Sequence, residues 1–138
     1  MHYEVSYAEA EIDIQVGYHA KDNIHVATVN GEVAGFVWFF LKGAFQRSGY
    51  IRLIGVAAGY RGQGVGTALL GSAENNVFEY TENIFLLVSD FNLDAQAFYQ
   101  RMGYTEIGAI PDYVKSGITE LIFFKNQSPS KPHRLKQE

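Results

Sequence analysis

Residues 55–73 read GVAAGYRGQGVGTALLGSA, and this stretch takes the chain from an apolar, strand-like run through Gly62, Gly64 and Gly66 into a helix-like run. Glycine at alternate positions leaves main-chain N–H groups uncovered where the helix begins, and a helix N-terminus favours an anion at that point. A phosphate-bearing ligand is therefore the first expectation.

Outward from this stretch, the elements follow from periodicity. YIRLIGVAA, residues 50–58, reads as the strand that delivers the chain to the glycines. Beyond them, Leu69, Ala73 and Val77 recur at intervals of four, predicting a helix from Val65 to about Tyr80 with one face on a sheet. NIFLLVS, 83–89, is a nearly continuous apolar run, as expected of a strand covered on both faces. Strand, helix and strand over this length predict a right-handed parallel crossover. NLDAQAFYQRMG, 92–103, predicts a second helix with Asn92 as N-cap, an apolar face of Ala95, Phe98, Tyr99 and Met102, and a stop at Gly103.

Upstream, IHVATVNGEVAGFVWFFL places Asn30-Gly31 between two β-branched and aromatic runs, the favoured pair for a type I′ hairpin joining Ile24–Val29 to Val33–Leu41. A Gly/Ser-containing loop is expected at about Lys42–Ser48. Nearer the start, Ile12, Ile14 and Val16 alternate weakly, on one face of a strand. Tyr104–Ile110 and Ile118–Lys125 form a last pair of strands around PDYVKSG. The expected domain is 1–125, followed by 126–138 as a polar, proline-bearing, disordered tail.

Composition narrows the function. With 138 residues, 47% of them hydrophobic, the chain fits one compact domain. No run approaches the roughly 20 apolar residues of a membrane span, and the start lacks the order of a signal peptide, so the expected location is cytoplasmic, without a membrane partner. The absence of cysteine excludes thiolate nucleophiles and cysteine-based metal sites, and no metal is expected. A net charge of −4 disfavours nucleic acid and suits an amine-bearing partner.

Among phosphate sites, a P-loop is ruled out because Val65 follows Gly64 where lysine is required. The dinucleotide fingerprint also fails, since its third glycine would fall on Thr67 or Leu69; only Asp90, placed like a ribose-binding acid, speaks for it.

YRGQGVGTALL, 60–70, resembles the acetyl-CoA signature of the GNAT superfamily of N-acetyltransferases through Arg61, Gly64 and Gly66. NLDAQAFYQRMGY, 92–104, resembles that family's second motif through Asn92, Ala95, Phe98, Tyr99, Gly103 and Tyr104, and the resemblance spans about Ile24 to Lys125. It implies an α/β fold with a mixed, twisted central sheet and flanking helices, here with a short N-terminal region.

The resemblance also implies roles. Backbone N–H groups of Arg61, Gly62, Gln63, Gly64, Val65 and Gly66, with Thr67, would hold the pyrophosphate of coenzyme A. Ile54 and Val56 would pair with the pantetheine arm at a splay between strands, a splay that Gly55 eases unless it only relieves crowding. Asn92 would contact pantetheine, cap its helix, or do both. Tyr99 would be the general acid on the departing thiolate, against its alternative as a core tyrosine.

Two departures from the family stand out. Relatives place a Glu on the strand before the glycine loop as general base, but Tyr50–Ile54 holds no carboxylate, leaving Glu106, Asp112, His25 or a water chain, none of them assigned. Arg52 either faces solvent or orients an acidic substrate. Relatives also carry a strand and two helices before the first hairpin, whereas only 23 residues precede Ile24. The acceptor side is then open or completed by another subunit, and exposed sheet edges leave surface for a homodimer. Trp38, Phe39, Tyr50, Tyr113 and the PDYVKSG loop are candidate pocket residues.

The expected function is acetyl-CoA-dependent, direct transfer to a primary amine on a protein N-terminus, a lysine or a small molecule, within a ternary complex, since no cysteine can carry an acyl group. The alternatives are a non-catalytic acyl-CoA sensor of the same fold and a nucleotide-binding oxidoreductase.

Overall fold

The structure, a computed structural model, describes residues 2–9, 12–19 and 23–127. The strands among them are β1 (His2–Glu9), β2 (Ile12–His19), β3 (Ile24–Val29), β4 (Glu32–Ala44), β5 (Ser48–Val56), β6 (Asn83–Ser89), β7 (Thr105–Pro111) and β8 (Thr119–Asn126). The helices are α1 (Val65–Val77) and α2 (Leu93–Arg101). The strands form one mixed sheet in the order β1-β2-β3-β4-β5-β6-β8-β7, antiparallel throughout except for the β5–β6 pair. This is the expected α/β architecture, with the expected parallel crossover through α1.

The core lies on one face of the sheet. Ile14, Val16, Ala27, Val37, Phe39 and Ile51 alternate along β2 to β5 and meet Leu69, Leu70, Ala73 and Val77 of α1. Ala95, Phe98, Tyr99 and Met102 of α2 pack against the edge of that core and stay partly exposed, because this helix borders a cleft. Asn30 and Gly31 take φ of 50° and 86°, as the predicted hairpin turn requires.

Several boundaries differ from expectation. The loop expected at Lys42–Ser48 is shorter: β4 continues to Ala44, which pairs with Ser48 across a turn that places Phe45 and Gln46 at φ of 56° and 58°. Neither residue type advertises a left-handed turn, so the sequence concealed it. The region before Ile24 is an antiparallel pair, β1 and β2, with Ile14 and Val16 in the core. Asn126, assigned to the tail, belongs to β8 opposite Asn83, and Gln127 N–H bonds Glu82 O at 3.0 Å. The rest of the expected tail, residues 128–138, lies outside the described residues.

Two irregularities in β5 position the site. Its parallel pairing with β6 covers only Gly49–Ile51 against Ile84–Leu86, so the two strands part from residue 52 onward. On its other side Phe39 pairs with Ile51 while Trp38 pairs with Leu53, leaving Arg52 as the extra residue of a β-bulge. Bulges re-aim side chains and loosen pairing, and this one sits where the strands separate.

Candidate active site

The glycine loop ends in a helix start without a side-chain cap. Gly64, at φ 90° and ψ 3°, is the N-cap of α1, and its O accepts the first helical bond, from Ala68 N at 3.0 Å. The N–H groups of the first turn are therefore open to a ligand, and the helix dipole places partial positive charge among them. Gly62, at φ 74°, has nothing within 4 Å of where a Cβ would stand. The Tyr60 hydroxyl donates to the Glu32 carboxylate, tying the loop to the start of β4.

A cleft of about 600 Å³ runs from this loop between β5 and α2. Of the expected cofactor residues, Ile54, Val56, Arg61, Gly62, Gly64, Val65, Gly66, Thr67 and Asn92 line it, and Tyr99 does too. Gln63 does not; its side-chain amide turns back to Gly59 O at 3.2 Å. Arg61 Nε donates to Val56 O at 3.3 Å, linking loop and strand.

Where β6 has parted from it, β5 keeps one row of peptide groups without a strand partner. Ala57 N–H bonds Ala34 O at 2.8 Å on the β4 side. Peptide groups alternate in direction along a strand, so those of Ile54 and Val56 point into the gap. Gly55 has a separate reason to be glycine: a Cβ there would stand 2.8 Å from the ring of Phe36, so it relieves crowding on the β4 side. Gly66 allows close packing of α1 on α2, its Cβ position being 3.4 Å from the Phe98 ring.

Asn92 caps α2, its Oδ1 accepting from Ala95 N at 3.1 Å, and it also lines the cleft. Tyr99 stands edge-on to Phe98, at 5.1 Å between ring centroids, and to Tyr104, at 5.7 Å. Burial pushes its phenol up to about 12, so it stays protonated at neutral pH. No hydrogen bond forms at its hydroxyl among the described residues, yet none of their buried side-chain polar atoms lacks a partner. The hydroxyl thus opens onto the cleft and not into the core.

A second, smaller cavity of about 330 Å³ shares Ile54, Asn92, Ala95 and Tyr99 with the first and continues through the gap between β5 and β6. Its further walls are Tyr50–Leu53, Leu87–Ser89, Val114 and Glu120. Val114 belongs to the PDYVKSG loop, and Tyr50 is one of the expected pocket aromatics. Phe39 is buried in the core, Trp38 lies beneath the Arg52 guanidinium at 5.5 Å, and Tyr113 is exposed.

The carboxylate of this cavity is one that the sequence reading did not single out. Glu120, 6% exposed, accepts a hydrogen bond from Ser89 Oγ at 2.8 Å, directly across the β6–β8 pair. The available signal was an acid directly before the apolar run LIFF, 121–124, of β8. The considered bases lie elsewhere: His25 is buried against Ser72 and Phe39, Glu106 is exposed on β7, and Asp112 accepts from Gly117 N at 2.7 Å. Asp90, the acid that favoured a dinucleotide, instead accepts from Thr119 N at 3.4 Å. Among the described residues no group of three or more His, Asp or Glu is placed to hold a metal, and no helix is long and apolar enough to cross a membrane.

Comparison with known proteins completes the picture. The model of the Acetyltransferase (GNAT) family matches residues 2–104. An uncharacterized N-acetyltransferase of Methanocaldococcus jannaschii is 33% identical over 109 residues, covering 78% of this chain and 68% of the relative. Blasticidin-S acetyltransferase of Streptomyces morookaense is 38% identical over 76 residues, 55% of each chain. The chain thus spans only about half of the latter's length. Among solved structures, Arabidopsis thaliana Naa50 in complex with the bisubstrate analogue CoA-Ac-MVNAL aligns with a TM-score of 0.67 at 25% identity, covering 76% of this chain and 73% of that one.

Proposed function

This chain belongs to the acetyltransferase (GNAT) family and is an acetyl-CoA-dependent N-acetyltransferase, and from that premise we propose that it passes the acetyl group directly to a primary amine within a ternary complex. The observation that carries the proposal is the position of Tyr99, which lines both the glycine-walled cleft and the Glu120-walled cavity. A thioester bound from one side and an amine entering from the other would meet beside its hydroxyl.

In this reading, the α1 first turn, Arg61 and Thr67 hold the pyrophosphate through N–H donors, dipole and charge. The peptide groups of Ile54 and Val56, with Asn92, hold the pantetheine amides in the strand gap. The amine nitrogen attacks the thioester carbonyl, and as the C–S bond breaks Tyr99 donates its proton to sulfur. The raised phenol keeps that proton available, and the surrounding aromatic rings fix its direction. A single pass suffices because no cysteine can hold the acetyl group.

Calorimetric titration with acetyl-CoA, followed by thiol release against a panel of amines and peptides, tests this reading. Binding with amine-dependent release is expected. Binding with no release from any amine would instead leave an acyl-CoA sensor.

A further inference from the structure

Resting on the transferase reading, the acceptor can be specified from the charges of the smaller cavity. Two opposite charges line it, from different strands, and neither has an ion-pair partner among the described residues. Glu120 of β8 is bonded only by Ser89, and Arg52 of β5 lies over the Trp38 ring. Each has a structural reason to be there. Arg52 is the bulged residue of β5, so its side chain leaves the regular alternation at the strand gap. Glu120 is fixed by strand register opposite Ser89.

Tyr50 lies within electrostatic reach of both. Burial raises its phenol, Arg52 pulls it down, and Tyr113 and Glu120 push it up. Arg52 and Glu120 line the same cavity of about 330 Å³, so one small molecule seated there meets both, and no ion pair joins them among the described residues. A buried carboxylate without a cation is costly, and an arginine fork in the wall of the same cavity suits a ligand carboxylate.

We infer that the acceptor is a small zwitterion, an amine that also carries a carboxylate, seated with its ammonium on Glu120 and its carboxylate on Arg52. Glu120 takes one proton from the ammonium, which frees the nitrogen lone pair. The nitrogen then bonds to the thioester carbon, the C–S bond breaks, and Tyr99 gives its proton to sulfur. The second proton lost from nitrogen restores the Tyr99 phenol, and Glu120 releases its own to solvent. The products are an N-acetyl carboxylate, free coenzyme A and one proton, with no oxidant or metal required.

The test compares three acceptors that share one skeleton: an amino acid, its methyl ester and the amine lacking the carboxyl group. Thiol release is read for the wild-type chain, Arg52→Gln and Glu120→Gln, with acetyl-CoA binding as the control for folding. The wild type is expected to prefer the free acid by about tenfold or more in kcat/KM. Arg52→Gln should bring the ratio of acid to ester close to one, and Glu120→Gln should lose release from all three while still binding acetyl-CoA. Equal use of acid and ester by the wild type, or an undiminished preference in Arg52→Gln, would overturn the zwitterion. Release at the wild-type rate from Glu120→Gln would overturn the role of Glu120. No release from any amine, by any variant, would remove the transferase reading and this inference with it. If Glu120→Gln fails to fold, the acid-to-ester ratios of the wild type and Arg52→Gln still decide the question.

Discussion

Ser89 and Glu120 stand directly opposite each other on β6 and β8, joined by a 2.8 Å hydrogen bond from hydroxyl to carboxylate at the mouth of the strand gap. The bond holds Glu120 in one orientation, which in the proposed reaction makes Ser89 a positioning residue. Ser89→Ala should lower kcat for thiol release by about tenfold, the scale of one hydrogen bond to a charged group. Its KM for acetyl-CoA should stay unchanged, and Ser89→Thr should recover most of the loss. Steady-state kinetics on the three proteins checks this.

In the proposed mechanism Tyr99→Phe removes the proton donor and little else, since the ring contacts with Phe98 and Tyr104 survive. Thiol release should fall by about 100-fold or more, with acetyl-CoA affinity retained by calorimetry.

The pH profile carries the same residue's signature. A tyrosine at its ordinary value of 10.0 would be half ionised at pH 10, whereas burial pushes Tyr99 to about 12. The shift is upward, so the acid form persists to higher pH. Turnover should show no loss attributable to Tyr99 up to pH 10, as a kcat profile measured at saturating substrates would reveal.

Gly62→Ala separates binding from folding. At φ 74° with nothing nearby, the added methyl meets no protein atom, and backbone strain costs about 1 kcal/mol. The melting temperature should fall by only a few degrees, roughly as that strain dictates. If the loop cradles pyrophosphate, the acetyl-CoA Kd should rise by about tenfold, equivalent to about 1.4 kcal/mol.

Lys125 supports α2 from beneath. Its Nζ lies 3.1 Å from the Glu74 carboxylate and 2.9 Å from Met102 O at the end of that helix, while the Tyr104 hydroxyl donates to the same carboxylate at 2.8 Å. Side-chain exposures of 21% for Lys125 and 11% for Glu74 leave the pair partly solvated. Lys125→Met should therefore cost about 2 kcal/mol, less than for a fully buried pair. Urea unfolding measures this.

The sequence determined whatever depends on local pattern. Asn30-Gly31 fixed a turn because few residue pairs accept two left-handed conformations, and the spacing of Leu69, Ala73 and Val77 laid out the buried stripe of α1. Asn92 and Gly103 bounded α2 for the same local reasons. The two family motifs lie within single loops and helices, so the residues proposed for the cofactor could be picked out locally, and all but Gln63, whose side chain turns back to Gly59, line one cleft. The side proposed for the acceptor was decided only by tertiary structure. Glu120 reaches the cavity because β8 inserts between β6 and β7, a strand order that no local periodicity encodes. Arg52 faces the same space because a bulge shifts β5 by one residue against β4, and a one-residue shift reverses the side to which a strand residue points. Strand order and register arise from long-range pairing, and through them this fold brings a carboxylate, a guanidinium and a phenol to one gap.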